Sequence, residues 1–471
     1  MSTMEQVEVG KYQPYPEYKD SGVEWLGDIP SNWSVYSLKR SVTGCTNGIW
    51  GDEPNGENDL IVLRVADFDR NKLRISDDKL TYRSISEKES RSRLLAKGDL
   101  LIEKSGGGDK TLVGCVVLFD KNFAAVTSNF VAKMSAHDGY HSGFLNYAFS
   151  HLYNGRINYP SIKQTTGIQN LDSESYLMER FCFPSYTEQR TIAAFLDYET
   201  ARIDKLIAQQ QRLIELHKEK RQAVISHAVT KGLNPDAPMK DSGVEWLGEV
   251  PEHWVVTLLR YFITTRKGVA FKAQDFCDDG VAVVKASDIK EFSFKGASTS
   301  LPAIFLSKYP KAILRSGNIV LSTVGSTPDV KNSAVGQLGM LPEELDGALL
   351  NQNTVVFEAN SIMCDNDFLF LILQTQGYRD HLDLHAHGTA NQASLNVTDM
   401  LKFSLPLPPL KEQRCIVDLV RGKLDKLNRL EQLGIEAQKK YQERRTALIS
   451  AAVTGKIDLR GWTAPVQEGA A

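Results

Sequence analysis

The sequence predicts an α/β (α+β) fold in which two mixed α/β globular domains are separated by two long helices that pair as an antiparallel coiled coil. Three observations predict it: a nine-residue segment occurs twice, short β-branched runs fill the middle of each half, and each half ends in an apolar stripe of helical period. The chain has 471 residues, 42% of them hydrophobic, which is enough for more than one core. The repeat adds an internal pseudo-twofold duplication.

The duplication is clearest at the two ends of each half. The segment KDSGVEWLG at residues 19–27 recurs unchanged at residues 240–248. Two further matches are Glu-Gln-Arg at 188–190 and 412–414, and RQAVISHAVT at 221–230 with RTALISAAVT at 445–454. Because the middles repeat only faintly, we expect two similar scaffolds that act on different targets, rather than a duplication that serves stability alone. The order of the motifs also predicts that the N-terminus packs near the C-terminal end of the chain.

The middle of each half is typical of a strand-rich domain with helical interruptions. Strands are predicted at residues 60–65, 112–119, 281–284 and 353–357, and helices at residues 144–152 and 367–382. The apolar run at residues 368–373 fits either a buried strand or a helix turn. The predicted boundaries are an N-terminal segment at 1–34, a first domain at 35–184, a long helix and linker at 185–235, a second domain at 236–408, a long helix at 409–456 and a tail at 457–471.

The long helices are predicted from about 187 to 229 and from about 411 to 453. Thr187 is the expected N-cap of the first, and Gly232 and Pro235 are expected to end it, as Gly455 ends the second. The apolar stripe of the first helix is Ile192, Leu196, Ile203, Leu206, Leu213, Val224 and Ala228, and that of the second is Ile416, Val420, Leu424 and Leu427. A helix of this length needs a partner, and the other long helix is the nearest candidate.

Candidate ligand-binding surfaces occur in both domains, although the net charge of −3 gives no argument for nucleic acid by itself. Each combines basic residues with amide-rich or glycine-rich loops that suit phosphate and base contacts. In the first domain the candidates are Arg83, Lys88, Arg91, Arg93, Lys97, Lys104, Lys110, Tyr159, Lys163, Gln164 and Thr165. In the second domain they are Lys308, Lys311, Arg315, Ser326, Thr327, Lys331, Asn332, His387, Thr389 and Asn391. The alternative for each charge is a solvated surface residue.

Catalytic and metal-binding motifs are absent from the sequence. The six cysteines are scattered, without C-x-x-C spacing, and His385 and His387 fit polar loop residues better than metal ligands. The loop at 105–111 lacks the glycine that a phosphate-binding loop needs before its lysine, because Asp109 stands there. With neither a signal peptide nor an apolar run of membrane-spanning length, the chain is expected to be a non-enzymatic, cytoplasmic protein without a membrane segment.

Three repeated motifs together carry a family resemblance. They are the DSGVEWLG-x-x-P-x-x-W opening, the Gly-Asp-aliphatic strand before a glycine-rich loop, and the P-x-x-x-E-Q-R start of each long helix. In this combination and order the chain resembles the specificity subunits of type I restriction-modification enzymes, over residues 18–462.

The resemblance implies two target-recognition domains that each bind one half of a bipartite double-stranded DNA site. It implies that the long helices set the gap and dock two methyltransferase subunits, which use S-adenosylmethionine, and that ATP- and Mg-dependent restriction subunits can join. No cofactor is expected in this chain itself. Asp204 and Asp425 are separated by the same number of residues as the two copies of the opening motif, and not by the number that separates the two copies of each helix motif. The register in which the two long helices pair therefore stays open. The alternative function is a bivalent coiled-coil scaffold that binds protein or carbohydrate.

Overall fold

The computed structural model describes residues 12–106, 111–165, 167–326, 334–389 and 392–465. The chain divides into two compact units. Unit 1 contains residues 1–211 and 435–471, and unit 2 contains residues 212–434. Each long helix therefore contributes one part of its length to each unit.

Unit 1 is a mixed α/β structure. Its strands are β1 (Tyr18–Asp20), β2 (Asp28–Pro30), β3 (Ser34–Ser37), β4 (Thr46–Asn47), β5 (Asp59–Leu63), β6 (Phe68–Asp69), β7 (Arg74–Ile75), β8 (Thr81–Ser84), β9 (Leu100–Glu103), β10 (Ser105–Gly106), β11 (Val116–Leu118), β12 (Ala125–Thr127), β13 (Val131–Met134), β14 (Ile162–Thr165), β15 (Ile168–Leu171) and β16 (Arg180–Phe183). Its helices are α1 (Glu87–Ser90), α2 (Ser142–Asn154), α3 (Ser173–Leu177) and the first part of α4 (Tyr186–Lys231).

Unit 2 has the same kind of composition. Its strands are β17 (Met239–Asp241), β18 (Glu249–Pro251), β19 (Val255–Leu258), β20 (Ile263–Lys267), β21 (Val281–Val284), β22 (Ile289–Lys290), β23 (Ser293–Phe294), β24 (Ser300–Leu301), β25 (Ile319–Ser322), β26 (Val324–Gly325), β27 (Leu338–Met340), β28 (Leu349–Leu350), β29 (Thr354–Ala359), β30 (Ala386–Thr389), β31 (Gln392–Leu395) and β32 (Ser404–Leu407). Its helices are α5 (Ile304–Lys308), α6 (Asn366–Leu373), α7 (Gln376–Leu384), α8 (Val397–Met400) and the first part of α9 (Leu410–Val453).

The sheets of the two units have similar strand orders. In unit 1 the order β4-β13-β9-β11-β7-β6 forms the largest sheet, and in unit 2 the order β20-β29-β25-β27 forms its counterpart. A small three-stranded sheet occurs in each unit, with the order β10-β15-β14 in unit 1 and β26-β31-β30 in unit 2. The mixed α/β class predicted from the sequence is therefore confirmed.

Each hydrophobic core is closed by the start of one long helix and the end of the other. In unit 1, residues 192–196 of α4 and residues 449–453 of α9 are buried in one cluster with the sheet and α2. In unit 2, residues 225–229 of α4 and residues 416–427 of α9 fill the equivalent places. Burial of these helix ends in the cores accounts for much of the stability of helices this long.

Two predicted helix boundaries were wrong. The N-cap of α4 is Ser185, whose hydroxyl accepts the Glu188 backbone N–H at 3.3 Å, so Thr187 already lies inside the helix. The single helix predicted at residues 367–382 is two helices, α6 and α7. Thr375 separates them because its side chain caps the N-terminus of α7 and also donates to the Ile372 carbonyl at 2.6 Å.

The apolar stripe of α4 also differs from its prediction. Leu213 is 45% exposed, whereas its neighbour Ile214 is 6% exposed and belongs to the buried face. All four predicted stripe residues of α9 are buried.

Contacts between the long helices occur inside each unit. In unit 1, Asp204 pairs with Arg445 at 3.1 Å and Gln211 bonds Gln438 at 3.1 Å. In unit 2, Lys218 pairs with Glu431 at 3.5 Å, and the amide oxygen of Asn428 accepts from Arg221 at 2.6 Å. As the residue number rises along α4 from one pair to the next, the number of the partner on α9 falls by the same amount. The four pairs therefore share one register.

These contacts decide the correspondence that the sequence left open. Asp204 bonds the arginine of one repeated helix motif, Arg445, and Asn428 bonds the equivalent arginine, Arg221. Asp204 thus corresponds to Asn428, and the match to Asp425 was wrong.

The repeated motifs connect the start of each long helix to the rest of its unit through hydrogen bonds. The indole N–H of Trp33 donates to Glu188 at 3.2 Å, and that of Trp254 donates to Glu412 at the same distance. Both indoles are fully buried. The glutamate of each Glu-Gln-Arg motif therefore satisfies the one polar atom of a large buried ring.

The glutamine of the same motif holds a neighbouring loop. Gln413 donates to the carbonyls of Pro408 at 2.8 Å and Met363 at 2.9 Å, and it accepts from the Asp365 N–H at 2.7 Å. Gln189 makes the corresponding bonds in unit 1. The identity of this residue in both repeats follows from the need for two donors and one acceptor at a buried position.

Glycines end the long helices against the opening motifs. Gly455, with φ +70°, lies against Pro30 and Trp33, and Gly232, with φ +75°, lies against Trp254 and Pro251. A Cβ at Gly455 would collide with the Pro30 ring at 2.4 Å, and one at Gly232 would lie 3.1 Å from the Trp254 ring, and at both positions it would strain the backbone. The hydroxyl of Tyr18 donates to the Gly455 carbonyl at 3.0 Å, so the N-terminal segment packs at the end of α9, as the order of the motifs predicts.

Candidate nucleic-acid interface

The candidate surface of unit 1 begins at a tight crossing between two chain segments. The chain leaves β4 at Gly48, where a Cβ atom would lie 2.1 Å from the Thr127 carbonyl oxygen. Only glycine allows this approach. The same crossing occurs in unit 2, where a Cβ at Gly268 would lie 1.8 Å from the Asn351 carbonyl oxygen. In unit 1 the crossing brings Asn47 and Trp50 beside the ends of β9 and β12.

Asn47 joins two of the predicted basic residues. Its side-chain oxygen accepts from Lys104 Nζ at 2.9 Å, and its backbone carbonyl accepts from Arg93 Nε at 3.1 Å. The Lys104 backbone N–H in turn donates to the Phe130 carbonyl at 2.8 Å. The structure thus brings Lys104 and Arg93 together on Asn47, which is distant from both in sequence, as one half-buried basic group.

Beside this group lies a pocket of about 350 Å³, which we call the Trp50 pocket. Its rim has three apolar side chains: Phe130 is 55% exposed, Ile168 is 53% exposed and Trp50 is 36% exposed. The guanidinium of Arg83 lies 4.6 Å from the centre of the Trp50 ring. The lining residues are Trp50, Arg64, Val65, Ala66, Ser105, Gly106, Ser128, Phe130 and Ile168.

The small sheet β10-β15-β14 carries further predicted residues. Lys163 and Gln164 are exposed on β14, and Lys163 pairs with Asp172 at 2.8 Å, an interaction that raises the pKa of the lysine and lowers that of the aspartate. Tyr159, just before β14, is 62% exposed, and Arg91 is exposed at the end of α1. Lys88 and Lys97 are also exposed. Lys110 and the side chain of Thr165 lie outside the described residues.

Unit 2 presents the corresponding small sheet, β26-β31-β30. His387 is exposed on β30, and Ser326 follows β26. Several predicted residues of this surface lie outside the described part of the chain: Thr327, Lys331, Asn332, Asn391 and the side chain of Thr389.

The remaining predicted cations of unit 2 lie near α5. Lys308 Nζ lies 5.3 Å from the ring centres of both Phe305 and Tyr309, and Lys311 is exposed. Arg315 pairs with Asp346 at 3.5 Å. Arg266, which the sequence did not single out, donates to the Lys311 carbonyl and to Glu358, so it fixes this segment to β29.

Sequence reasoning missed the residues that assemble the surface of unit 1. Asn47 and Trp50 come from one segment, and Phe130 and Ile168 from two others, and only the folded sheets bring the three segments together. A usable signal was present at Trp50, because a large aromatic residue between two glycines of the segment Gly48-Ile-Trp-Gly51 is unusual in a strand-rich region.

The described residues give little support for a cysteine nucleophile or a metal site. Burial raises the pKa of the Cys115 and Cys364 thiols to about 12, so neither is a ready nucleophile. Among the residues that the structure describes, acidic residues, histidines and cysteines form no group of three suited to a metal ion. Within the same described ranges, no helix combines the length and apolar character needed to cross a membrane.

Comparison with known families and proteins gives consistent matches. Residues 251–439 match the family model described as type I restriction modification DNA specificity domain. The type I restriction enzyme MjaVIII specificity subunit of Methanocaldococcus jannaschii is 28% identical over 63% of this chain and 66% of that protein. The putative type I restriction enzyme MjaX specificity subunit of the same organism is 22% identical, over 92% of this chain and 96% of that protein.

Solved structures support the same fold. A structure described as the structural basis underlying complex assembly and conformational transition of the type I R-M system superposes with a TM-score of 0.67, at 13% identity, covering 90% of this chain and 98% of that chain. The HsdS subunit from Thermoanaerobacter tengcongensis superposes with a TM-score of 0.51, at 14% identity, covering 91% of this chain and 98% of that chain.

Proposed function

We propose a DNA-reading function from the premise that this chain belongs to the specificity subunits of type I restriction-modification enzymes. In this proposal unit 1 and unit 2 each read one half of a bipartite site. The specificity subunit is the non-catalytic part of such a complex. The observation that carries the proposal is the repetition of one small sheet, β10-β15-β14 and β26-β31-β30, whose strands carry exposed polar and basic residues such as Lys163, Gln164 and His387.

Charge supports unit 1 as a DNA-binding surface. Lys104 and Arg93 both bond Asn47, and Arg83, which also pairs with Glu53, stacks on Trp50, so three cations contact the segment from Asn47 to Trp50. Cations of this kind suit phosphates, whereas the loops and side chains between them suit base edges. A carbohydrate- or protein-binding scaffold would not need this concentration of cations.

The DNA-binding proposal is tested with the full chain and its methyltransferase subunits, by binding to duplexes at several salt concentrations. The Lys104→Ala Arg93→Ala double variant should weaken binding to all sequences alike and reduce the salt slope by about one for each phosphate that the protein no longer neutralises. Lys39→Ala removes an exposed lysine elsewhere in unit 1 and serves as the control. An unchanged salt slope in the double variant would contradict the assignment of this surface.

The long helices are proposed to pair as an antiparallel coiled coil around a pseudo-twofold axis and to set the gap between the half-sites. The four contacts with a common register support this, as does the exchange of helix ends between the two cores. Seven residues inserted after Arg212 and seven after Glu436 would preserve that register. The unread gap should then grow by about three base pairs, since a helix rises about 1.5 Å per residue and DNA about 3.4 Å per pair.

Mapping of adenine methylation in cells that express the complex measures the gap. Insertion of the same seven residues after Pro235, outside both helices, is the control and should leave the gap unchanged. A constant gap in the helix-insertion variant would refute the helices as spacers. Absence of any split methylation motif that depends on this chain, with assembly verified, would refute the DNA-reading function and favour a scaffold.

Methyltransferase docking is proposed at the exposed apolar residues of the helices in unit 2. Leu213, Leu216, Leu430 and Leu433 are each between 41% and 53% exposed, although they lie on long helices. We expect two methyltransferase subunits, which would hold S-adenosylmethionine, and restriction subunits, which would use ATP and Mg, to complete the complex in the cytoplasm.

The docking proposal is tested by co-purification. Leu216→Glu Leu433→Glu should lose the methyltransferase subunits, because charged groups replace the apolar side chains there. Leu384→Glu changes a residue that is 77% exposed elsewhere in unit 2 and should retain them. Retention by the double variant would move the docking site off this face.

A further inference from the structure

We propose that the Trp50 pocket receives the C5-methyl group of a thymine in the half-site read by unit 1. The pocket would thereby distinguish thymine from the other bases by apolar contact. This inference deepens the proposed DNA-reading function and rests on it, while it concerns residues that the sequence did not single out.

The rim of the pocket is unusual for a protein surface. Phe130 and Ile168 are both more than half exposed, and the exposed part of Trp50 faces the same pocket. Single exposed apolar residues are ordinary, but three around one depression mark a contact surface. The volume of about 350 Å³ can accept the edge of one base.

The surroundings of the pocket favour nucleic acid over another protein. Arg64 lines it, Arg83 lies on the face of Trp50, and the Lys104 backbone is hydrogen-bonded to Phe130. Arg64 pairs with Asp67 at 3.0 Å and Arg83 pairs with Glu53, so both arginines are held beside the apolar rim. An apolar depression flanked by guanidinium groups matches a ligand that combines anionic phosphates with an apolar group on a base edge. In the major groove of DNA that group is the thymine methyl, since the other base edges offer hydrogen-bond donors and acceptors.

The hydrogen-bond pattern shows which residues of unit 2 take the equivalent positions. The Phe130 carbonyl accepts from the residue after β9, and the Asn353 carbonyl accepts from the residue after β25, so Asn353 corresponds to Phe130. Ile168 begins β15, and Gln392 begins β31. The positions of Phe130 and Ile168 are therefore occupied by amide residues in unit 2. Within the described ranges the apolar rim occurs in unit 1, so we expect the half-site of unit 1 to depend on it.

Deoxyuridine provides the test, because it pairs like thymidine but lacks the methyl group. The half-site of unit 1 is first identified as the one that changes when residues 35–184 are exchanged. In the full complex, deoxyuridine at one thymine position of that half-site should weaken binding about fourfold, the effect expected for the burial of one methyl group. Deoxyuridine in the other half-site should leave affinity unchanged.

Two variants connect the effect to the pocket. Phe130→Ala and Ile168→Ala should each bind the thymidine and deoxyuridine duplexes with closely similar affinity, because the apolar rim no longer reaches the methyl group. Met178→Ala removes another exposed apolar residue of unit 1, 60% exposed, and should keep the fourfold difference. Both pocket residues are exposed, so their truncation should leave the thermal unfolding of unit 1 almost unchanged.

The outcomes separate this inference from the function on which it rests. Specific binding of the bipartite duplex without any deoxyuridine effect in the half-site of unit 1 overturns the inference and leaves the DNA-reading function intact. A fourfold effect that persists in Phe130→Ala and Ile168→Ala also overturns it. Loss of methyltransferase co-purification in these variants, with the fourfold difference intact, would make the pocket a protein-binding surface. Failure of the unmodified complex to bind any bipartite duplex refutes the DNA-reading function itself.

Discussion

The substitution Gln413→Glu should destabilise unit 2 far more than its small change in shape suggests. Gln413 is fully buried at the start of α9, where its amide donates to two carbonyls and accepts from one backbone N–H. A carboxylate keeps the accepted bond but loses both donated bonds, and it places a negative oxygen against two carbonyl oxygens. Two missing bonds at about 1 kcal/mol each, together with the burial of an unmatched charge, give about 3 kcal/mol or more.

Hydrogen exchange localises this effect. The amides around Met363 and Asp365, which Gln413 bonds, should lose protection by about a hundredfold, since each factor of ten in an equilibrium corresponds to about 1.4 kcal/mol. Gln432→Glu makes the same chemical change at an exposed site of α9 and should leave protection unchanged. The equivalent change Gln189→Glu should act on unit 1 instead.

The pH dependence provides a second check. Burial beside two carbonyls should raise the pKa of the introduced carboxyl in the folded state, so the folded form prefers the proton. The loss of stability should therefore be smallest below about pH 4, near the pKa of an unfolded glutamic acid, and should grow as the pH rises through the higher folded value. A loss below about 1 kcal/mol at pH 7, or one independent of pH, would refute the role given to this glutamine.

Three further predictions concern other positions. Gly268→Ala should destabilise unit 2 by about 2–3 kcal/mol in thermal unfolding, because its Cβ would meet a backbone carbonyl, whereas Gly422→Ala, with open space around it in α9, should stabilise by about 0.5–1 kcal/mol; equal effects would contradict the crossing. His151 has its pKa lowered to about 4 by burial, so unit 1 should lose about 2–3 kcal/mol as the pH falls from about 6.5 to 4, and His151→Leu should remove this loss in acid unfolding curves. Glu291→Gly should stabilise the β22–β23 turn by about 1 kcal/mol, because Glu291 has φ +51°, and a lower melting temperature would argue against strain there.

The sequence predicted the features that depend on local or repeated patterns. The duplicated motifs indicated two related units, and the apolar stripe of α9 was confirmed in full. Leu213 was misassigned because both it and Ile214 fit a helical period, and only packing selects between adjacent apolar residues. The break at Thr375 was missed because a threonine N-cap inside an apolar helical pattern looks like an ordinary helical residue.

The candidate surface was predictable only in its charges. Lys104 and Arg93 were recognised individually, but their meeting at Asn47 depends on the pairing of β4 with β13 and on the glycine crossing at Gly48. The apolar rim was missed for a different reason. Phe130 and Ile168 lie at the ends of strands, where an apolar residue normally continues into the core, and its exposure becomes visible only in the folded structure.

Because the helix ends complete each core, they determine the order in which the two units can fold during synthesis. Unit 2 is one continuous segment, residues 212–434, and all of it has been made before residue 435. The core of unit 1 needs residues 449–459, which follow unit 2 in the chain. The core of unit 1 therefore stays incomplete in the nascent chain until these residues are made, although the sheets of unit 1 are translated first. The first domain made is the last to be finished, and protease sensitivity of nascent chains should persist longer in residues 12–200 than in unit 2.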